Sequence, residues 1–541
     1  MTLVSLLQLI ALAVTVHATD CEEISPFQVS IRDIQVIPET PNSLMKGIAA
    51  TVGTPPQNIV LLPWPELNNT WIYDQGYCDS AYVQSASKCQ AWRGNYYQES
   101  KSSTWVKEND IAVAGGAPVE LETQKEAGID KLISTSLGGT DEFVLNITEG
   151  LAKFPIGIPT MNWDNGYTML HAMGMGKNST ILNALFKAKR IGSRVWSIYW
   201  GRMWVTDRDP IDGSVAFGGY DQQKTIGSNY TQSLDFSETT GCWTGMKVRI
   251  SKITLHNPDI HDVGLLEPST ELVACIVPQH QLLLEGPVSI LNWFEYYTQK
   301  AKYGISSGLY KDASLYNESN TFGGDLTISL STGLDIRVSN DQYLTPFVDI
   351  DEYGSRVVDT SYRELLISNV SDPVATLGRY FLTAAYLMVD MDANTFTLWQ
   401  ANPTSDSKLV GLANSGCGNA TSPDSGTSPS SNSQAPQVMS GLSRGSIAGI
   451  VVGAVAGFAI LGLGVFFYLR RIRRFRSNQT ATELPDPSGE VSRLPELAVL
   501  NNAKPLSSPE RELRGSTAVS DVNGQAHHTP YEMDGNTLRG G

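Results

Sequence analysis

Short apolar runs separated by Gly, Pro, Asn and Asp dominate residues 19–415. "NIVLL", "ELVACIV", "AYLMVDM" and "TFTLWQ" have strand length and carry β-branched or aromatic residues, so each predicts a β-strand. Helical spacing of apolar positions is rarer. "STILNALFKAKRI" and "VSILNWFEYYTQKA" carry it most clearly, one in each half of this region. The pattern predicts a mostly β domain with a few short helices.

At both ends the pattern changes. An apolar run over residues 3–16 is too short to span a bilayer, and "VHA" ending at Ala18 offers small residues for cleavage. Residues 1–18 therefore read as a signal peptide, although no Lys or Arg precedes the run. Residues 416–445 are rich in Ser, Pro, Gly and Thr and predict a flexible stalk, having too little apolar surface to fold. The uncharged apolar stretch 447–469 is long enough to cross a membrane as a helix. "RRIRRFR" follows at 470–476, which assigns that end to the cytoplasm. The polar residues 470–541 predict a disordered tail and argue against a lipid anchor. The expected topology is type I at the plasma membrane or cell surface, ectodomain outside and tail inside. Gly449, Gly453 and Gly457 form a small-residue ridge along the span that would permit dimerisation, although glycine is common in membrane spans in any case.

Charge and cysteines narrow the picture further. The 541 residues are 41% hydrophobic and 17% charged, an ordinary globular composition. A net charge of −16 excludes a nucleic-acid partner, which needs a basic face. It suits a soluble surface glycoprotein. Six cysteines, Cys21, Cys78, Cys89, Cys242, Cys275 and Cys417, imply disulfides in a secreted context. Cys78 with Cys89 is the expected local pair. Cys21 with Cys417 would tie the ends of the domain and leave Cys242 with Cys275, among several connectivities. Glycosylation sequons stand at Asn68, Asn146, Asn178, Asn229, Asn317, Asn369 and Asn419.

Five stretches in order give the ectodomain a resemblance to the pepsin-type (family A1) aspartic proteases. They are "KGIAATVGTPPQNIVLLPWPELNNTW", "GYTMLHAMGMG", "DGSVAFGGYD", "ACIVPQHQLLLEGP" and "ATLGRYFLTAAYLMVDMDANTFTLWQA". The last resembles the family's "ILGDxFLRxxYxVFD" region. The pair Cys78 and Cys89 falls where the family often has a small disulfide loop. What the resemblance implies is a bilobal β fold with a cleft between lobes of about 19–235 and about 236–415. With the stalk, span and tail, the chain is similar to fungal single-pass cell-surface proteins.

The family's chemistry needs one carboxylate from each lobe, the two sharing a proton at the cleft floor. Counted back from Trp71, the first "DTG" position is Trp64-Pro65-Glu66; through "LLLEGP", the second is Pro278-Gln279-His280. Both acids are replaced, by Trp64 and Pro278, and neither turn has its glycine. No tyrosine lies between Tyr97 and Tyr167, where the family's flap carries one. Glu66 is expected on the same face as Trp64 if the turn stays extended. Trp64, Glu66, Gln279 and His280 are the candidate cleft residues, and His280 could sense acidity there.

Other patterns carry less. "VVDTSY" around Asp359 lies too close to "ATLGR" to be the second catalytic segment. "GLSRG" lies in the stalk, "GMGKNST" lacks the first glycine of a P-loop, and His256 and His261 lack a completing ligand. The reading is a membrane-anchored protein without metal or cofactor, a pseudoprotease whose cleft or surface takes a peptide, glycan or protein ligand. The alternatives are an active aspartic endopeptidase and a structural surface glycoprotein.

Overall fold

The computed structural model describes residues 24–78, 85–118, 137–145, 150–159, 170–203, 210–237, 241–258, 261–311, 313–369 and 374–412. Strands dominate these residues, and the helices among them are short. No helix among them is long and apolar enough to cross a membrane. The signal peptide, Cys21, Cys417, Asn146, Asn419, the stalk, the 447–469 span with Gly449, Gly453 and Gly457, and the tail lie outside the described residues.

The apolar runs become strands. "NIVLL" lies in Gln57–Trp64, whose last six residues are all buried, as a strand covered on both faces requires. "ELVACIV", "AYLMVDM" and "TFTLWQ" supply Leu272–Ile276, Ala385–Asp390 and Thr395–Ala401. Both helical readings appear as well. Helix Thr180–Lys187 is capped by Ser179, whose side chain accepts from Leu182 N. Helix Val288–Thr298 ends where Gln299 turns left-handed at φ 54°.

A thirteen-stranded sheet holds most of the first half of the domain. Strand Val195–Arg202 pairs antiparallel with Ile211–Phe217 on one side and with Ala385–Asp390 on the other. Strand Thr395–Ala401 then pairs with Ala385–Asp390, so the end of the domain is woven into a sheet begun in its first half.

One arrangement of four strands occurs twice. In the first half, Gln57–Trp64 runs parallel to His171–Gly174, with Trp64 opposite Gly174. The chain returns as Thr70–Trp71, antiparallel to the same strand and parallel to Leu151–Ile158. In the second half, Leu272–Ile276 runs parallel to Ala375–Leu377. The chain returns as Leu284–Gly286, antiparallel to that strand and parallel to Ile367–Asn369. A glycine sits where each return loop crosses. A Cβ on Gly174 would lie 2.3 Å from Asn69 O, and one on Gly378 2.2 Å from Leu282 O. Only glycine admits so close a backbone approach.

Disulfides Cys78–Cys89 and Cys242–Cys275 both form. The second anchors the incoming strand of the second crossing, because Cys275 lies within it.

Candidate functional site

The two return loops carry the residues that the sequence singled out. Strand Gln57–Trp64 stops at Trp64 because Pro65 follows and Leu67 N closes a turn onto Trp64 O at 3.1 Å. In the second loop the turn is closed by His280 N on Val277 O at 2.9 Å. The two loops differ in length. Aligned on the return strands, where Trp71 faces Ala172 and Glu285 faces Thr376, Trp64 matches Pro278. Aligned on the incoming strands, where Trp64 faces Gly174 and the register carries Val277 opposite Gly378, it matches Val277. The second loop therefore holds an extra residue. Neither alignment puts an acid opposite Trp64.

Trp64 is only 1% exposed and packs with Leu67, Trp71, Tyr73, Ile111 and Ala172. Its Nε1 donates to Glu66 Oε2 at 3.0 Å, and Gln279 Nε2 donates to the same oxygen at 2.8 Å. Glu66 thus ties the first loop to the second. Part of the residue remains exposed, yet burial around the carboxyl pushes its pKa up, against the opposing hydrogen bonds of Trp64 and Gln279 and the charge of His280. Gln279 is fully buried, and its Oε1 has no hydrogen-bond partner among the described residues.

His280 is 4% exposed and bonds to residues of its own return loop and strand. Its Nδ1 accepts from Leu282 N at 3.3 Å, leaving Nε2 as the donor to Glu285 Oε2 at 3.1 Å. Ser368 Oγ donates to the other Glu285 oxygen at 3.2 Å. Burial alone would raise the Glu285 pKa, but the His280 and Ser368 contacts outweigh it and hold the carboxyl below its ordinary value. The two acids of the region therefore have different partners: Glu66 an indole and an amide, Glu285 an imidazole and a hydroxyl. Held by these separate partners, Glu66 and Glu285 are not arranged as the proton-sharing pair of a protease dyad.

A prediction follows from the direction in which the Glu66 pKa moves. The native state holds its proton above the ordinary carboxyl pKa. This contribution to stability is complete below the unfolded value and is lost as pH rises through the raised one. Glu66→Gln should flatten that part of the pH profile, measured as urea midpoints from about pH 4 to about pH 8. An unchanged slope would mean that Glu66 is not the titrating group.

The remaining expectations sort by burial. Asn178, Asn229, Asn317 and Asn369 are exposed and open to glycosylation. Asn68 is not: it is 5% exposed, and its Oδ1 accepts from Asn178 N at 2.9 Å. A sugar there would require this packing to open. Asp359 sits in strand Arg356–Leu365, capping Ser361 N at 2.8 Å. His256 is bonded through both ring nitrogens, to Asp262 at 2.9 Å and Thr327 at 2.7 Å.

No protein-family model matches the chain, and no curated protein matches it.

Sequence reasoning missed one feature beside the second loop. Arg379 N donates to His280 O at 2.8 Å, and the Arg379 side chain enters a cavity of about 50 Å³ that Lys46 and Arg356 also line. The available signal was Arg379 itself, which follows Leu377-Gly378 where the resembled "ILGD" pattern has an acid.

Proposed function

We propose that this chain is a bilobal, pepsin-type scaffold that has lost proteolysis and acts as a glycosylated, membrane-anchored protein at the cell surface. The repeated four-strand crossing supports two related lobes, as do the five ordered segments. A single observation carries the loss of activity. Where the fold would hold two facing acids, Glu66 alone bridges the loops, held by Trp64 and Gln279. A lone carboxylate lacks the second, facing acid with which a pepsin-type dyad shares its proton.

The burial of Trp64 favours a structural surface glycoprotein over a binding cleft that uses this indole, because the ring offers almost no surface. A peptide, glycan or protein ligand would have to bind elsewhere on the molecule. The four exposed sequons agree with the structural role.

The full-length protein should release no peptides from a denatured protein substrate at acid pH, with or without a statyl transition-state mimic. The double substitution Trp64→Asp and Pro278→Asp should remain inactive, since the second loop has a different length and both turn glycines are absent. Mimic-sensitive cleavage by the wild type would overturn the proposal.

A further inference from the structure

We propose that the cavity beside the second loop binds a small oxyanion, phosphate, sulfate or a short carboxylate, held between Lys46 and Arg379. The six residues that matter are Lys46, Trp200, Tyr310, Arg356, Arg379 and Tyr380. They come from distant parts of the chain: Lys46 from strand Leu44–Val52, Trp200 from Val195–Arg202, and Arg379 and Tyr380 from the segment after Ala375–Leu377. At about 50 Å³ the cavity exceeds the space needed by one water, about 10–15 Å³, and suits an anion of a few heavy atoms.

Its charges are not balanced. Arg356 is committed to Asp33 through two bonds, Nη1 to Oδ1 at 2.6 Å and Nη2 to Oδ2 at 2.7 Å. Lys46 and Arg379 have no such acid among the described residues. Lys46 Nζ lies 5.9 Å from the Trp200 ring centroid, and the Arg379 guanidinium carbon lies 5.3 Å from it. Arg379 Nε is buried without a hydrogen-bond partner. Asp33 and Asp212 attract Lys46, but Asp33 already holds Arg356 and Asp212 is on the surface. Two partly buried cations drawn to one aromatic ring, neither with an ion pair of its own among the described residues, are costly to desolvate, and an anion between them would offset that cost. A guanidinium fork also matches the geometry of an oxyanion.

Protonation follows the same logic. Burial, with a further push from Arg356, lowers the Lys46 pKa to about 8, against the pull of Asp33 and Asp212. Arg379, Tyr310 and Tyr380 are the other ionisable groups facing the cavity, and the two tyrosine hydroxyls hydrogen-bond to each other. A bound anion would raise the Lys46 pKa again, so binding should take up protons and weaken as pH rises past about 8. None of this depends on the family of the fold or on the loss of proteolysis.

The test uses the full-length protein near pH 7, titrated with phosphate, sulfate or acetate at constant ionic strength set by chloride. Thermal melting and tryptophan fluorescence are the readouts. A saturable rise in Tm is expected for at least one anion. A stronger response to phosphate and sulfate would assign a tetrahedral ligand, and a stronger response to acetate a carboxylate. Lys46→Met should weaken the response at least about tenfold and abolish its pH dependence, and Arg379→Gln should weaken it similarly. Removing the Lys46 charge relieves an uncompensated burial. Lys46→Met should therefore melt no lower than the wild type without anion, and a lost response could not be blamed on unfolding. An equal, non-saturating response of wild type and Lys46→Met to all three anions, or no response of the wild type, would overturn the proposal.

Discussion

Trp64→Ala is expected to destabilise the protein by about 4 kcal/mol, the upper range for one core truncation. The indole is 1% exposed and sits among Leu67, Trp71, Tyr73, Ile111 and Ala172, so its removal leaves a cavity that the strand crossing cannot easily close. Glu66 would at the same time lose one of its two donors in poorly solvated surroundings. Trp64→Phe separates the two effects. It keeps an aromatic ring in the core, deletes the Nε1 donor and leaves a smaller void than alanine does, and should cost about 1–2 kcal/mol. Urea unfolding followed by circular dichroism measures both. A cost below about 1 kcal/mol for Trp64→Ala would show that the indole does not hold the loop.

The second large effect is a pH dependence at Glu364. This residue is fully buried, its Oε1 accepting from Ser306 Oγ and its Oε2 from Val348 N at 3.2 Å. Burial is the main cause that pushes its pKa up to about 8; those two hydrogen bonds oppose it, and the charge of Asp349 adds to it. The native state therefore holds a proton that the unfolded chain gives up near the ordinary carboxyl pKa. The associated stability is intact below about pH 4.5 and is lost as pH rises to about 8. Each tenfold change in proton affinity between the folded and unfolded chain is worth about 1.4 kcal/mol, so the loss is at most roughly 5 kcal/mol. Glu364→Gln should remove it. Melting curves at several pH values should show the wild type falling relative to the variant over this window; parallel profiles would contradict the assignment.

How much of this was legible in the sequence depends on the distance over which each signal acts. Strand Gln57–Trp64 was legible because its burial on both faces writes an unbroken apolar run. Helix Thr180–Lys187 was legible from its spacing, whereas the cap that Ser179 supplies emerged only in the structure. The placement of Trp64 needed only its distance to Trp71. Glu66 was expected beside Trp64 by strand alternation. The two do meet, but across a turn closed by Leu67 rather than along an extended segment. The extra residue in the second loop was not legible, since aligning on "LLLEGP" reads only the return strand. The sequon at Asn68 could not report burial, because three residues say nothing about what packs over them. Lys46 and Arg379 are brought together by sheet topology alone, and no local pattern in either segment names the other.

Strand Val195–Arg202 also bears on how the molecule is made. Its neighbour Ile211–Phe217 emerges soon after it, but Ala385–Asp390 leaves the ribosome only after nearly all of the strand-rich region has been synthesised. Until then the nascent chain carries an open strand edge, the kind of surface that recruits wrong partners. Closure of the first half must therefore wait for the last strands of the second. A chain that terminates before Ala385 would keep that edge bare and be drawn into aggregates instead of folding as a free-standing half.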